Sequence, residues 1–494
     1  MDFNILSTIL FFPAAGAIII ALFKGRNEKT IKWLAVFFTA VPLALAVYLF
    51  AIFDRSAAGI IQFEEKYLWI APLNAHYHLG VDGLSMPLLL LTTFLGFLAV
   101  LISWKVHTRL REYFAWLLLL ETSIIGVFVS LDLLLFFVMW EIEVIPMYFL
   151  ISIWGSGRKH YSATKYLIYT LFGSAFMLAG ILSLYITTGS LSMVDIASGG
   201  LAMAQTAMPA AAIFWLMFTG FAVKLPMFPL HTWLPDAHTD APTAVSVMLA
   251  GVLIKMGGYG MFRTVSIFPE PAQDYAQLLV ILALVGIIYG AAVTLMQTDI
   301  KRMIAYSSIS HMGYVLLGIF ALGTISMTGA ALQMFSHGVV TGLLFALAGL
   351  VIHNIKVRDL RELGGLARQV PVICVFFGIA GLASLGLPMT SGFAAEFLVF
   401  LGAYNSSAVA GIQVYTIIAI IGVVLTAGYI LWMLQRTFFG PVKAQFTGVE
   451  DANNLEKAYS IALIAVILLV GIYPAIMTDV FTLGVEPIAR LFGG

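Results

Sequence analysis

The sequence predicts an all-α polytopic membrane protein with about 14 transmembrane helices. Of its 494 residues 61% are hydrophobic and only 10% are charged, and the mean hydropathy is +1.01. A soluble protein of this length cannot hide so much apolar surface. The apolar runs are about 20 residues long, which matches a hydrocarbon core of roughly 30 Å. The basic residues, moreover, collect in alternate loops.

The transmembrane spans follow from the apolar runs, taken in chain order. The first run has no basic leader and no small-residue cleavage site, so we expect a span and not a removable signal peptide. The twelfth run has 33 residues, too many to cross straight. The predicted spans are 5–23, 33–53, 80–103, 113–131, 133–153, 165–187, 210–233, 243–264, 277–297, 303–322, 328–353, 371–403, 411–435 and 458–477.

The positions of Lys and Arg test this count independently. Nineteen of the 25 basic residues, Lys24 and Arg26 among them, fall in the odd-numbered loops or their flanks. By the positive-inside rule these loops are cytoplasmic, and both termini lie on the periplasmic side of the cell inner membrane. The exceptions are Arg55, Lys66, Arg263 and Arg490 on the opposite side, and Lys224 and Lys255 inside spans seven and eight.

The composition excludes several classes of function. The net charge is zero, so nucleic acid is not an expected partner. A single cysteine, Cys374, excludes a disulfide framework and any Cys-cluster metal site. His231 and His238 flank Asp236, but no catalytic metal spacing is present, so we expect loop capping or proton uptake there. No nucleotide, haem or Ser–His–Asp motif occurs, so we expect no cofactor and no redox chemistry in this chain.

Ionisable residues inside the predicted spans are the exceptional feature of this sequence. Each Lys or Asp at mid-membrane is unfavourable by roughly 2.5–3.5 kcal/mol, and such residues normally face protein or water and find partners. Seven of them, of both signs, predict an ion path through the bundle. In order from span four to span twelve they are Glu121, Glu141, Lys224, Lys255, His311, His337 and Glu396.

Span five carries a second acid, Glu143, two residues after Glu141. On a helix the two carboxylates point about 200° apart, so they do not form one acid pair. Pro146 frees the carbonyl of Ile142, which predicts a locally distorted helix. One carboxylate can face the polar interior of the bundle while the other faces a neighbouring helix or subunit. We expect Glu141 to be functional and Glu143 to be an accessory, partner-satisfied carboxylate.

Spans seven and twelve are both predicted to be broken. Span seven carries Pro226 and Pro229 next to Lys224, and span twelve carries Pro388 between glycines. Both contain Leu-Pro-Met, at 225–227 and 387–389. Broken spans in two halves indicate inverted repeats built around ion sites. We therefore divide the chain into 1–112 (spans one to three), 113–264 (the first five-helix repeat, spans four to eight), 277–435 (the second, spans nine to thirteen) and 436–494.

The remaining ionisable residues have local features that favour proton transfer. Lys255 lies about twelve residues inside its span, too deep to snorkel, beside Gly257 and Gly258, which we expect to loosen the helix and admit water. His311 and His337 lie mid-span beside hydroxyl side chains, and imidazole titrates near neutral pH. A buried histidine is commonly a satisfied core residue, so a structural role for each stays open.

Four stretches carry a family resemblance: "WEIEVIPMYFLISIWG", "FAVKLPMFPLHTWLPDAHTDAPTAVSVMLAGVLIKMGGYG", "DIKRMIAYSSISHMGYVLLG" and "GLPMTSGFAAEF". They resemble the antiporter-like membrane subunits of respiratory complex I, in the branch of bacterial M subunits and mitochondrial subunit 4. The resemblance implies two interlocked inverted repeats and a proton path through Glu141, Lys224, Lys255 and Glu396. The glutamate in span twelve marks the M branch. Glu143 departs from the commoner bacterial pattern and is similar to the photosynthetic branch, whereas the seventh loop favours the ordinary bacterial one.

The resemblance also implies partners and a mechanism. Paralogous antiporter-like subunits would lie on either side within the lipid bilayer, and partner subunits would hold FMN, iron–sulfur clusters and quinone. A carboxylate near Lys224 favours the charged amine, and separation favours proton release. We expect Glu141 to be that carboxylate, and the proton to pass from Lys224 through His311 or His337 to Lys255 and out past Glu396.

Three rival interpretations remain open at this point. The chain could be a subunit of a multisubunit Na+/H+ antiporter or of a membrane-bound hydrogenase-type complex, because both share this arrangement. It could also be a structural spacer with vestigial ionisable residues, although the complete set speaks against this. The identity of co-purifying subunits would discriminate among them.

Overall fold

The computed structural model describes residues 4–23, 25, 27–56, 58–198, 208–446 and 448–493, so Lys24 and Arg26 lie outside it. Within these residues twelve helices are long and apolar enough to cross a membrane. Two shorter apolar helices, Ala210–Lys224 and Pro371–Ser384, lie in predicted spans seven and twelve. The all-α membrane fold class is therefore confirmed, while the count of fourteen spans stays a prediction.

The N-terminal part contains a β-hairpin that the sequence interpretation missed. Its strands pair antiparallel, Tyr67 opposite Tyr77, around Asn74, whose φ of +50° suits a tight turn. The second strand takes the residues predicted to begin span three. The elements are α1 (Ile5–Leu22), α2 (Glu28–Ile52), β1 (Gln62–Ile70), β2 (Ala75–Val81) and α3 (Ser85–Ile102).

Predicted span five is two helices joined at Glu143. Pro146 lacks the N–H that would bond to the carbonyl of Ile142, so the helix is interrupted at this point, as expected. Asp132 caps the first of the two, accepting from the N–H of Leu134 at 2.9 Å. The helices here are α4 (Leu110–Val129), α5 (Leu133–Ile142), α6 (Val144–Trp154), α7 (Lys159–Thr188) and α8 (Met193–Ser198).

Predicted span seven is also interrupted, because its helix ends at Lys224. The indole N–H of Trp233 donates to the carbonyl of Val223 at 2.9 Å and so satisfies a backbone group that the helix end leaves free. The elements are α9 (Ala210–Lys224), α10 (Trp233–Asp240), α11 (Thr243–Met248), a π-helical segment (Leu249–Leu253), α12 (Ile254–Ile267) and α13 (Pro269–Asp274).

The second half repeats the plan of long helices with one interruption, in span twelve. It also contains a C-terminal helix, α21, which the sequence interpretation did not predict. The helices are α14 (Ala276–Leu295), α15 (Ile300–Phe320), α16 (Thr324–Ile355), α17 (Pro371–Ser384), α18 (Ser391–Asn405), α19 (Ile412–Phe438), α20 (Asn454–Ile472) and α21 (Ala475–Ala489).

The interruptions in spans seven and twelve share a pattern of backbone hydrogen bonds. When the two patterns are aligned, the Leu-Pro-Met triplets at 225–227 and 387–389 do not coincide. After α9 the N–H of Met227 donates to the carbonyl of Ala222 at 3.0 Å, and after α17 that of Leu387 donates to Leu382 at 3.0 Å. This pattern aligns Met227 with Leu387, so the two Leu-Pro-Met triplets are offset by two residues. The breaks are confirmed, the triplet correspondence is wrong, and the inverted repeats stay a prediction.

Contacts between loops define two faces of the molecule. We call one the hairpin face, formed by residues 54–56, 58–84, 130–132 and 189–192 with α21. There the N–H of Leu131 donates to His78 at 2.9 Å, and that of Gly59 donates to Leu483 at 3.0 Å. The hairpin therefore fastens the N-terminal part to both the first half and the C-terminal helix.

We call the opposite side the basic face, formed by residues 103–109, 155–158, 240–242, 296–302 and 356–370. The indole of Trp154 donates to the carbonyl of Thr108 at 2.7 Å. The amine of Lys301 donates to the carbonyl of Ala241 at 2.8 Å, which joins the two halves. These loops hold nine Lys and Arg residues, against two in the residues of the hairpin face, so the alternation on which the sequence prediction rested is present in the fold.

The most buried helices lie at the centre of the bundle. The residues of α11 and α12 are almost all buried, and so are those of α15 and α16, whereas α1, α2, α7 and α19 expose much of their apolar surface. Lys255, His311 and His337 are on these central helices. The fold therefore places these three ionisable residues in the buried centre of the bundle, where a charged side chain needs a partner.

A buried line of ionisable side chains

A buried ion pair lies at the joint between α5 and α6. Glu143 is fully buried and contacts the amine of Lys224, which is 1% exposed at the end of α9. The hydroxyl of Tyr166 donates to the second oxygen of Glu143 at 2.6 Å, and the Lys224 amine lies 3.3 Å from the same hydroxyl. The sequence did not predict a role for Tyr166, because its contacts with Glu143 and Lys224 depend on how α7 packs in the fold.

In this structure the carboxylate in direct contact with Lys224 is Glu143 and not Glu141, whose role in proton transfer stays a prediction. Glu143 takes the place that we expected for Glu141, and it is more than the accessory acid that we predicted. One carboxylate oxygen of Glu141 is buried without a hydrogen-bond partner among the described residues. The physical reason is the one that separated the two acids in the sequence: residues two apart on a helix face opposite ways, so only one can point at α9.

Lys255 lies next to the π-helical segment and contacts His337. Its amine donates to the carbonyl of Ala250 and lies 2.7 Å from Nδ1 of His337. A π turn leaves such a carbonyl available, and π segments are frequent at functional sites. The helix is therefore loosened on the N-terminal side of Lys255, and not at the glycines that follow it.

Gly257 and Gly258 serve close packing, which corrects the expectation that they admit water. A Cβ on Gly257 would lie 2.5 Å from the backbone nitrogen of Leu225, and one on Gly258 would lie 2.5 Å from Sδ of Met334. Lys255 itself is fully buried. The glycines bring α12 against the end of α9, directly beside Lys224.

The line continues from Lys255 through both histidines to Glu396. The rings of His337 and His311 are 5.5 Å apart between centroids, and Nδ1 of His311 lies 3.3 Å from the carboxylate of Glu396. A cavity of about 10 Å³ lies among these three side chains and has the volume of one water. Polar groups 3.4–3.5 Å from His311 complete the surroundings: Gln333, Ser384 and Tyr429.

The order of the groups differs from the expected one. We expected the histidines between Lys224 and Lys255, but they lie between Lys255 and Glu396. The sequence gives the depth of each residue in its own span, whereas the order depends on which helices pack together. No hydrogen bond between described residues joins the Glu143–Lys224 pair to Lys255; the two are connected by the packing of α9 on α12.

Two of the accessory candidates lie away from this line. Glu121 is buried on α4 against Gly96, where an added Cβ would be 2.4 Å from the carboxyl carbon, and one of its oxygens has no partner among the described residues. His231 packs between Phe228 and Tyr289 in the break after α9. The described residues contain no group of His, Cys, Asp and Glu that could hold a metal.

The loop between spans seven and eight is a charged junction on the basic face. The carboxylate of Asp236 lies 2.8 Å from the amine of Lys165 and 3.6 Å and 3.7 Å from the guanidinium groups of Arg158 and Arg302. The loop contains no Lys or Arg of its own, and the positive charge comes from the N-terminal parts of α7 and α15 and from Arg158 just before α7.

The fold and the buried line define a multi-pass membrane protein whose central helices hold paired charges. The family described as NADH:quinone oxidoreductase/Mrp antiporter, TM, matches residues 130–426 of the sequence. That stretch contains every residue of the line and the Glu143–Lys224 pair. The chain belongs to this family of antiporter-like membrane proteins.

Two relatives of different kinds are equally similar to the chain. It is 41% identical to NADH-quinone oxidoreductase subunit M of Rhodobacter capsulatus, over 96% of this chain and 94% of the relative. It is also 41% identical to NAD(P)H-quinone oxidoreductase chain 4 1 of Synechococcus elongatus, over 97% of this chain and 90% of the relative. Identity therefore favours neither the bacterial nor the photosynthetic branch.

Solved structures share the fold over the whole chain. A chain of respiratory complex I from Thermus thermophilus with bound NADH superposes with a TM-score of 0.88 at 28% identity, covering 99% of this chain and all of that one. A chain of the Mrp complex from Dietzia sp. gives a TM-score of 0.87 at 21% identity, covering 100% and 98%. The second match shows the fold alone.

Proposed function

We propose that this chain is the proton-translocating antiporter-like subunit of a complex I, which couples NADH:quinone oxidoreduction in partner subunits to proton pumping. One observation carries the proposal: Lys255, His337, His311 and Glu396 form a buried row of titratable groups, each next to the following one, across the middle of the bundle. Buried ionisable groups inside a membrane protein are unfavourable unless they serve an ion path.

The proposed mechanism begins at the Glu143–Lys224 pair. While the carboxylate touches the amine, the ammonium form of Lys224 is favoured, and separation of the two favours release of the proton. Tyr166 holds Glu143 and also reaches the amine, so a small movement at the joint between α5 and α6 changes both contacts. Glu141, the acid that the sequence pattern favours, is a second carboxylate that could serve this step from the preceding helix α5.

The released proton then passes along the line to the other half of the molecule. Lys255 accepts it across the contact between α9 and α12 and passes it through His337 and His311 to Glu396. Each imidazole has two nitrogens, so it can accept a proton on one and release one from the other. Glu396 lies on α18 and releases the proton on the hairpin face.

The surroundings of the chain follow from the same proposal. Paralogous antiporter-like subunits flank it in the inner membrane, and both of its termini lie on the periplasmic side, because the basic face is cytoplasmic. FMN, iron–sulfur clusters and quinone belong to partner subunits. This chain supplies residues that bind and move protons. Its residues 113–264 and 277–435 form the two proposed inverted repeats.

The alternatives carry less support. The fold of an Mrp complex and that of an archaeal membrane-bound sulfane sulfur reductase both resemble this chain, at 21% and 24% identity. The relatives at 41% identity are NADH- or NAD(P)H-quinone oxidoreductase subunits. A structural spacer would not need the contiguous line.

Glu396 provides the test of the proposed path. In the assembled complex in proteoliposomes, Glu396→Gln keeps the shape of the side chain but cannot carry a proton, and we expect NADH-driven acidification to slow by about tenfold or more. Glu396→Lys restores a titratable group and should retain part of the pumping. A pH-sensitive dye measures both.

Glu112→Gln is the matched control, since Glu112 is an exposed acid paired with Arg109 on the basic face. We expect this variant to pump like the wild type. If Glu396→Gln also pumped like the wild type in an assembled complex, Glu396 would be a structural acid and the proposed exit would be wrong.

A further inference from the structure

A cavity of about 270 Å³ opens on the hairpin face, close to the outer end of the helix that carries Lys255. Among the described residues, its lining includes Asp82 and Arg263 together with Ser198, Gly484 and Leu491. This volume has room for several waters. A pump that holds a proton on Lys255 must prevent its direct escape into such a cavity.

The helix α12 presents a stripe of three residues between Lys255 and this cavity. Lys255, Tyr259 and Arg263 are four residues apart in turn, so they lie on one side of the helix. At 1.5 Å per residue, Arg263 stands roughly 12 Å from Lys255 along the axis. Tyr259 fills the space between them and is fully buried.

Arg263 is held in place by two neighbours. Its guanidinium lies 2.7 Å from the carboxylate of Asp82 and donates to the hydroxyl of Tyr259 at 2.9 Å. Its carbon Cζ lies 4.8 Å from the centre of the Tyr259 ring. The Tyr259 hydroxyl in turn donates to the carbonyl of Phe128 at 3.2 Å, which ties the group to α4.

Asp82 is fixed just as firmly before α3. Its other carboxylate oxygen accepts from the backbone N–H groups of Leu84 and Ser85, at 3.1 Å and 2.9 Å. The C-terminal helix presses on this turn: a Cβ on Gly484 would lie 2.1 Å from the nitrogen of Leu84. These contacts hold the ion pair in place between α12 and the turn before α3.

We propose that Asp82, Arg263 and Tyr259 form a charge barrier that blocks direct proton movement between the hairpin-face cavity and Lys255. A guanidinium keeps its proton in proteins, so it cannot pass one on, and its fixed positive charge repels another proton. With this route closed, a proton on Lys255 leaves only through the histidines and Glu396. This inference depends on the proposed function in one respect, namely that Lys255 carries a proton.

The test uses the assembled complex in proteoliposomes and follows the decay of the pH gradient after NADH is exhausted. Arg263→Met keeps the length of the side chain and removes its charge. We expect the decay to accelerate by about tenfold, the Boltzmann weight of a unit charge roughly 12 Å away at an effective dielectric constant of ~20. Arg263→Lys retains the cation but introduces an amine that can release its proton, so we expect a decay between those of the wild type and Arg263→Met.

Arg490→Met is the matched control, because Arg490 is an exposed arginine on the hairpin face, paired with Glu486. Decay in Arg263→Met that is no faster than in Arg490→Met would overturn the proposal. If Arg263→Met does not assemble, Tyr259→Phe removes only the hydroxyl that positions Arg263, and an unchanged decay there would overturn it equally.

The double variant Arg263→Met/Lys255→Leu separates this inference from the proposed function. A leak through Lys255 should disappear in the double variant, whereas a leak that persists would show a route past the side chain and contradict the barrier. The Glu396→Gln experiment measures pumping during turnover, and the decay measures the resting protein. The proposed function and the charge barrier can therefore be refuted independently of each other.

Discussion

At the scale of single residues, Glu143 is the side chain whose role the structure changes most. A buried charge pair at about 4 Å and an effective dielectric constant of ~20 is worth about 4 kcal/mol. Moving one charge against 100 mV requires about 2.3 kcal/mol. A pair of this strength can therefore hold or release a proton against a membrane potential, provided that it is as buried as Glu143 and Lys224 are.

We predict that Glu143→Gln lowers pumping at least as strongly as Glu141→Gln does. Glutamine keeps the shape of Glu143 but leaves the buried amine of Lys224 without a counter-charge, and breaking a buried pair is unfavourable by roughly 3–5 kcal/mol. NADH-driven acidification by the two assembled variants in proteoliposomes is the measurement.

The competing outcome is clear from the sequence interpretation, in which Glu143 is accessory. A Glu143→Gln variant that pumps normally, beside a Glu141→Gln variant that does not, would show that the contact with Lys224 is structural. Asp195→Asn, a change in the short helix α8 away from the line, is the control for assembly.

At the scale of secondary-structure elements, the helix interruptions in spans seven and twelve place free backbone groups close to buried ionisable side chains. The helices α9 and α17 end at Lys224 and Ser384, in the same hydrogen-bond pattern, and each end lies against a helix of the central bundle. Gly392 brings the start of α18 close against the end of α17, because a Cβ there would lie 2.2 Å from the carbonyl of Ala383. The breaks are therefore packed positions and not open gaps.

We predict that Gly257→Ala weakens the contact between the two charged elements. The added methyl group would meet backbone atoms of Phe221 and Leu225 at 2.7 Å and 2.5 Å, and overpacking of this kind is unfavourable by about 1–3 kcal/mol. We expect the assembled complex to inactivate at a lower temperature and to pump more slowly. Thermal inactivation followed by NADH-driven acidification tests this.

Gly378→Ala is the matched control on α17. An added Cβ at Gly378 meets nothing within 4 Å, and alanine favours helix over glycine by up to about 1 kcal/mol. Its inactivation temperature should be unchanged or higher. If Gly257→Ala behaved in the same way, the close approach of α12 to α9 would have no part in pumping.

At the scale of the whole molecule, two faces with opposite character set the direction of transport. The hairpin face carries the strands, α21 and the cavity, and the basic face carries the charged junction around Asp236. The line of titratable groups runs sideways between the two halves. In the proposed mechanism a proton is therefore taken up in one half and released from the other.

We predict that the basic face is cytoplasmic. With Cys374 replaced by serine, Arg361→Cys on the basic face and Arg55→Cys on the hairpin face each offer one exposed thiol. A membrane-impermeant maleimide added to intact spheroplasts should label Arg55→Cys and leave Arg361→Cys unlabelled until the membrane is permeabilised. The reverse pattern would invert the proposed direction of pumping.

The sequence by itself determined the fold class and the place of the helix interruptions in spans seven and twelve. Six of the seven ionisable residues that it marked are buried, Glu141 being the exception, but it did not mark the buried Asp82. Length and hydropathy fix what can cross a bilayer, proline fixes where a helix loses a hydrogen bond, and a charge in an apolar run is visible without a structure. The hairpin and α21 were missed because, outside the spans, hydropathy carries no signal for them.

The tertiary structure alone decided which charges meet. The sequence favoured Glu141 over Glu143, and only the packing of the joint between α5 and α6 against Tyr166 on α7 and the end of α9 places Glu143 against Lys224. The order from Lys255 through His337 and His311 depends on which faces of α12, α15 and α16 touch. A pair energy falls with distance, and distances between residues far apart in the chain are set by packing and not by their spacing in the sequence.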